Sequence, residues 1–94
     1  MGKVANAIDN KLRTEFAPVR LAIEDESSQH HGHSGHREGG ESHFRVEIVS
    51  AAFEGKSRVA RQRLVYETLA AEMKREIHAL AMQTFTPEEW AARR

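Results

Sequence analysis

Histidine is the side chain in this sequence best suited to bind something at neutral pH, and five of the six histidines are crowded into one stretch. His30, His31, His33, His36 and His43 fall within Glu26–His43, and His78 lies far along the chain. Imidazole suits borderline metals, and its neutral form is the one that binds. A site built from it should therefore weaken as pH falls through about 6.5. The chain has no cysteine, which excludes disulfides, a nucleophilic thiol and any metal centre resting on its own thiolates.

A second constellation is cationic. Lys56, Arg58, Arg61 and Arg63 cluster at the expected start of a long helix, where backbone N–H groups and adjacent cations can hold phosphate. The four are candidates for nucleic-acid contact. Gly55-Lys56-Ser57-Arg58 carries only the first glycine of a Gly-x-x-Gly backbone clamp. A solvated basic face, or a dock for an acidic partner, explains the same residues. Glu24, Asp25 and Glu26 beside the histidines could do acid–base work. No nucleophile signature, phosphate loop or cofactor fingerprint accompanies them, so an enzyme is not expected.

The elements that must position these groups follow from hydropathy. Val4, Ile8, Leu12 and Phe16 recur every four residues, which predicts an amphipathic helix over 3–16, closed by Pro18. Pro18 should push Ala17 toward extended geometry. Val19, Leu21 and Ile23 alternate with polar positions, as do Phe44, Val46 and Ile48, predicting two half-buried strands. Between them lies a Gly-, Ser- and His-rich loop at 27–42, far longer than a usual hairpin connection of about 2–5 residues.

A helix is expected from Ser57, as N-cap, to Arg75. A third strand follows over 77–85, apolar on both faces as if packed between neighbours. Thr86-Pro87-Glu88-Glu89 is a helix-start signal, and Trp90 in the short last helix should pack on the core. The order α-β-β-α-β-α implies one α/β domain over 1–94, with a mixed three-stranded sheet and helices on one face. The second and third strands are joined by a crossover and should run parallel. Both then start at one sheet edge, which brings His78 beside His43 and beneath the loop histidines.

Composition is that of a globular domain, with 39% hydrophobic and 30% charged residues. The 14 basic and 14 acidic side chains cancel, which argues against binding nucleic acid by bulk charge. No run of about 18 apolar residues suggests a membrane span. The first residues lack the apolar core of a signal peptide, so cytoplasm is the expected compartment.

Several motifs are shared with a known family. DESSQH, GGESHFRVEIVS, FEGKSRVARQRLVYETLAAEM and IHALAMQTFTPEEW stand in an order and spacing that resemble the BolA family, from about Asn10 to Trp90. The resemblance implies a fold like the class II KH domain. It also implies a partner, a monothiol glutaredoxin, and a [2Fe-2S] cluster shared with it in iron–sulfur trafficking and iron homeostasis, with glutathione from the partner side. Bacterial members are also described as transcription regulators in stress response and morphology, so DNA is the alternative ligand.

By the same resemblance, His30 in SSQH and His78 in IHAL match the cluster ligands, and His43 in SHF matches a structural residue beside them. His31, His33 and His36 are additional histidines and stand as secondary candidates. Gln62 occupies the middle of the basic triplet where members often carry His. Histidine can replace thiolate on one iron of a [2Fe-2S] centre, and a chain without cysteine must then take its sulfur donors from a second protein. Zinc or nickel on the histidine tract alone is a third reading. The protein by itself is expected to be a monomer.

Overall fold

The structure, a computed structural model, describes residues 2–26 and 42–93. Helix α1 (Lys3–Phe16) buries Ala5, Ile8, Leu12 and Phe16, the stripe that the four-residue recurrence predicts. It ends on Ala17 in the left-handed region, φ 43°, whose N–H donates to the Arg13 carbonyl at 3.0 Å. Ala17 is thus not extended, contrary to the expectation from Pro18. A left-handed residue closes a helix by this backbone bond, and here that closure outweighs a cost of about 1–2 kcal/mol for a non-glycine residue.

Strands β1 (Arg20–Asp25) and β2 (His43–Val49) pair antiparallel, with Ile23 opposite Val46 and Leu21 opposite Ile48. β2 pairs parallel with β3 (Ala79–Phe85), placing Leu80 opposite Phe44 and Met82 opposite Val46. The sheet order is β1-β2-β3. The central strand is therefore β2, whose Phe44, Val46 and Ile48 are fully buried. β3 is an edge strand, not one packed between neighbours. Its apolar residues divide between a core side, Leu80 and Met82, and exposed Ala79 and Ala81.

The segment joining β2 to β3 opens with a single 3-10 turn (Ala51–Phe53), which drives Phe53 wholly into the core against Phe16. Gly55, at φ 77°, then takes a left-handed conformation in which a side chain would be strained. Ser57 caps the next helix, accepting from the Ala60 N–H at 3.1 Å. The expected single helix over 57–75 is broken in two: α2 (Arg58–Thr68) and α3 (Ala70–Arg75) meet at Leu69. Thr68 Oγ1 donates to the Leu64 carbonyl one turn back, a bond that bends helices, and Leu69 is fully buried at the break.

Helices α1 to α3 and the core side of the sheet enclose one cluster of buried residues, including Ile8, Leu12, Phe44, Val65, Leu69 and Ile77. Truncating Leu12 or Leu69 to Ala should cost about 2–5 kcal/mol. Lys11 on α1 pairs with the buried Glu72 of α3 at 2.8 Å. Helix α4 (Pro87–Ala92) starts with the full capping box that its sequence promises: Thr86 Oγ1 accepts from Glu89 N–H, and the Glu89 carboxylate accepts from Thr86 N–H. Trp90 does not join the core. It packs edge-on against Phe85, with Arg20 and Arg93 over its ring, and the register puts Arg20 and Phe85 on the opposite side of the sheet from Leu80. No helix among the described residues is long and apolar enough to cross a membrane.

Candidate functional site

Parallel pairing brings the starts of β2 and β3 together. The Ser42 carbonyl accepts from the N–H of His78 at 2.7 Å and of Ala79 at 3.3 Å. This fixes the backbone of position 78 directly beside the first residue of β2. The rings of His43 and His78 then stand 5.9 Å apart between centroids, inclined at 64°. His78 is exposed and His43 half-buried. Ser42, itself buried, places its Oγ 2.8 Å from His43 Nδ1 and so orients that ring.

The long connection departs from this same rim. Glu26, the last described residue before it, donates its N–H to the His43 carbonyl at 2.7 Å. Its carboxylate also accepts from Arg45 Nε at 3.0 Å, a bond that raises the arginine pKa. Both ends of the 27–41 segment are thereby tied to the edge that carries His43 and His78. The expected juxtaposition of His78 with His43 is present. His30, His31, His33 and His36 lie outside the described residues. Among the described residues no group of three or more His, Cys, Asp or Glu could hold a metal. The two imidazoles could therefore supply part of a donor set, with the remaining donors coming from elsewhere.

At the far end of β3 the basic cluster resolves into two kinds of residue. Lys56, Arg58 and Arg63 are exposed. Arg61 is buried, and it points inward. Its Nε donates to the Lys56 carbonyl at 3.0 Å and its Nη1 to the Thr84 carbonyl at 3.3 Å. The same guanidinium grips Glu89 with two bonds, 2.8 and 3.1 Å. That grip, followed by the Thr86 N–H, holds the Glu89 carboxyl down at about 2, and Arg58 nearby adds to it. Arg61 thus ties α2, β3 and α4 together and is not a free phosphate donor, which corrects its place among the four nucleic-acid candidates. The sequence did carry a signal for its partner: the capping-box glutamate already marked Glu89 as fixed in space.

The sequence profile described as "BolA-like protein" matches residues 12–89. The chain belongs to the BolA family. A BolA relative from Haemophilus influenzae, named DNA-binding transcriptional regulator BolA, is 45% identical over 89 residues, covering 95% of this chain and 82% of that protein. The SufE-like protein 1 of Arabidopsis thaliana, chloroplastic/mitochondrial, is also 45% identical, over 95% of this chain but only 25% of its own length. The solved BolA domain of SufE1 from the same plant superposes with a TM-score of 0.85 at 46% identity, covering 95% of this chain and 98% of that one. BolA-family relatives thus include proteins named as regulators and the BolA portion of a longer SufE-like chain.

Proposed function

We propose that this BolA-family protein is a non-enzymatic adaptor of the cytoplasm that binds a monothiol glutaredoxin. The two proteins share a bridging [2Fe-2S] cluster in iron–sulfur trafficking. His78 and one loop histidine, His30 before His31, His33 or His36, ligate one iron. Thiolates of the glutaredoxin and of its glutathione hold the other.

The observation that carries this reading is the exposed His78 ring at a rim to which both ends of the histidine-rich segment are tied. His30 is only four residues past Glu26, and four residues span at most about 14 Å. A span of that length allows a residue at position 30 to approach the rim. Two imidazoles without thiolate suit a half-site, because the missing sulfur must come from a partner. His43, hydrogen-bonded to Ser42 and set edge-on to His78, positions its neighbour.

Mixing the protein with a cluster-loaded monothiol glutaredoxin should change the visible absorption and circular dichroism of the cluster. His78→Ala should abolish that change, and His30→Ala should weaken it. A wild-type mixture whose spectrum is the sum of its parts would remove the reading.

A second reading is DNA binding, favoured by the exposed Lys56, Arg58 and Arg63 and by the name of the Haemophilus influenzae relative. Three phosphate contacts give weak, salt-sensitive binding. Titration of a labelled duplex at two salt concentrations separates the readings. Binding at physiological salt that falls when these three residues are replaced supports the regulator. Binding only at low salt counts against it.

A further inference from the structure

The outer edge of the sheet along β3 presents a row of backbone groups. Ala79 N–H donates to the Ser42 carbonyl, and the Phe85 carbonyl accepts from Ser50 N–H at 2.9 Å. Residues 79, 81, 83 and 85 therefore face β2. Leu80, Met82 and Thr84, between them, turn their N–H and C=O groups outward. Among the described residues, the one group that meets this row is Arg61, which donates to the Thr84 carbonyl. Edge strands ordinarily carry charges that keep other strands off. β1, at the other edge, has Arg20, Glu24 and Asp25. From Ile77 to Phe85 there is no Asp, Glu, Lys, Arg or Pro.

The charges stand on the adjoining helix instead, and they are of one sign. Arg58 and Gln62 of α2 line a groove along this edge with Met82, Gln83, Thr84 and Phe85. Beyond them Arg63 lies four residues from Val59 and three from Tyr66, so the three adjoin on the helix surface. Val59 is 56% exposed and Tyr66 42%. Among the described residues neither Arg58 nor Arg63 has a salt-bridge partner. Glu89, whose carboxyl feels the charge of Arg58, is gripped by Arg61. The edge thus joins outward peptide groups, an apolar patch and two cations that no carboxylate of the described residues binds.

We propose that this groove takes an extended acidic segment of a partner protein, which adds to β3 as a fourth strand. Its main chain pairs with the outward N–H and C=O groups of Leu80 and Met82. Its side chains alternate between the two sides of the sheet, so every second one lies on the α2 side. There its carboxylates meet Arg58 and Arg63, and an apolar side chain between them rests on Val59 and Tyr66. The two arginines decide the occupant: they favour an anionic strand and repel a cationic one or a second copy of this edge. Duplex DNA fits the same groove less well. A phosphate has no donor for the outward carbonyls of Leu80 and Met82, and it leaves the apolar patch unused. Its affinity also rests on many neutralised charges, where this groove has two and the whole chain nets to zero. The inference is independent of the histidine rim and of any cluster held there.

The probe is a labelled, end-capped peptide of about seven residues, the length of β3, alternating Glu with Val. It is titrated with the full chain at physiological salt and read by fluorescence anisotropy. Wild type should bind it saturably, and the amide protons of Leu80 and Met82 should exchange more slowly in the complex. Arg58→Glu with Arg63→Glu should weaken binding about tenfold or more. The same variant should bind the counterpart peptide with Lys in place of Glu, which shows that it is folded and that charge sets the choice. No binding of the Glu peptide by wild type at millimolar concentration overturns the proposal. So does binding that the double reversal leaves unchanged, or a complex in which those two amides stay unprotected. Displacement of the peptide by unlabelled duplex DNA at physiological salt also overturns it and assigns the groove to nucleic acid.

Discussion

The histidine rim and the basic start of α2 sit at opposite ends of β3, and what holds their polar groups is different. At the basic end Arg61 is buried, and its bonds go to Lys56, Thr84 and Glu89. At the rim His78 is held through its backbone N–H while its ring stays exposed. A cation ringed by carbonyls and a carboxylate is a structural tie. An exposed imidazole ring, edge-on to His43, is accessible from solvent. The contrast shows why a cluster of charges in a sequence is a weak pointer to a binding site until the partners of each charge are known.

The largest effect that would sharpen this contrast is on folding stability. Arg61→Ala removes hydrogen bonds from a charged group to two backbone carbonyls and empties a packed position. It should cost about 2–3 kcal/mol in urea unfolding. His78→Ala, at an exposed position, should stay within about 0.5 kcal/mol of wild type. Equal costs for the two would break the distinction.

Acid should tell the two ends apart as well. The folded Glu89 carboxyl lies at about 2, below the ordinary 4.5, chiefly because Arg61 donates to it. A depressed carboxyl contributes stability above its unfolded pKa and loses that contribution as pH falls through the folded one. Stability should therefore decline between about pH 4.5 and 2, and the decline should be shallower in Glu89→Gln. A Glu89→Gln profile parallel to wild type over that interval would show that the pair contributes nothing to the acid limb.

The smallest effect on stability is expected from replacing Lys56, Arg58 and Arg63 together by Ala. These exposed side chains should leave unfolding within about 0.5 kcal/mol. If they contact phosphate, the slope of log affinity against log salt for duplex DNA should fall by about 3. No change in slope would exclude DNA contact by the basic end.

Much of this architecture was legible from pattern. The four-residue recurrence of α1, the alternation in β2, and the caps at Ser57 and Thr86 are local signals, and local geometry honoured them. In β1 Leu21 and Ile23 do pack against the core, but Val19 lies before the strand and is 72% exposed. The placing of His78 beside His43 followed from the direction of a crossover, which sequence order nearly fixes. What did not show was set by tertiary partners. β3 reads as a central strand because Ala79 and Ala81 are apolar, yet small apolar residues are tolerated on an open side. The bend at Leu69 depends on a bond from Thr68, which propensity does not report. Trp90 reads as core but lies over Phe85 on the other side of the sheet. Arg61 reads as one of four like cations because its partner, Glu89, is 28 residues away.

The central claim is that imidazole from this chain ligates iron in a cluster whose sulfur donors belong to another protein. Its most direct test is nitrogen hyperfine spectroscopy of the reduced bridging cluster, assembled from glutaredoxin and protein carrying 15N-histidine. Couplings from labelled imidazole nitrogen should be present in the wild-type complex and lose the His78 contribution in His78→Ala. A reduced bridging cluster with no coupling to labelled histidine, or with couplings unchanged by that substitution, would contradict the account.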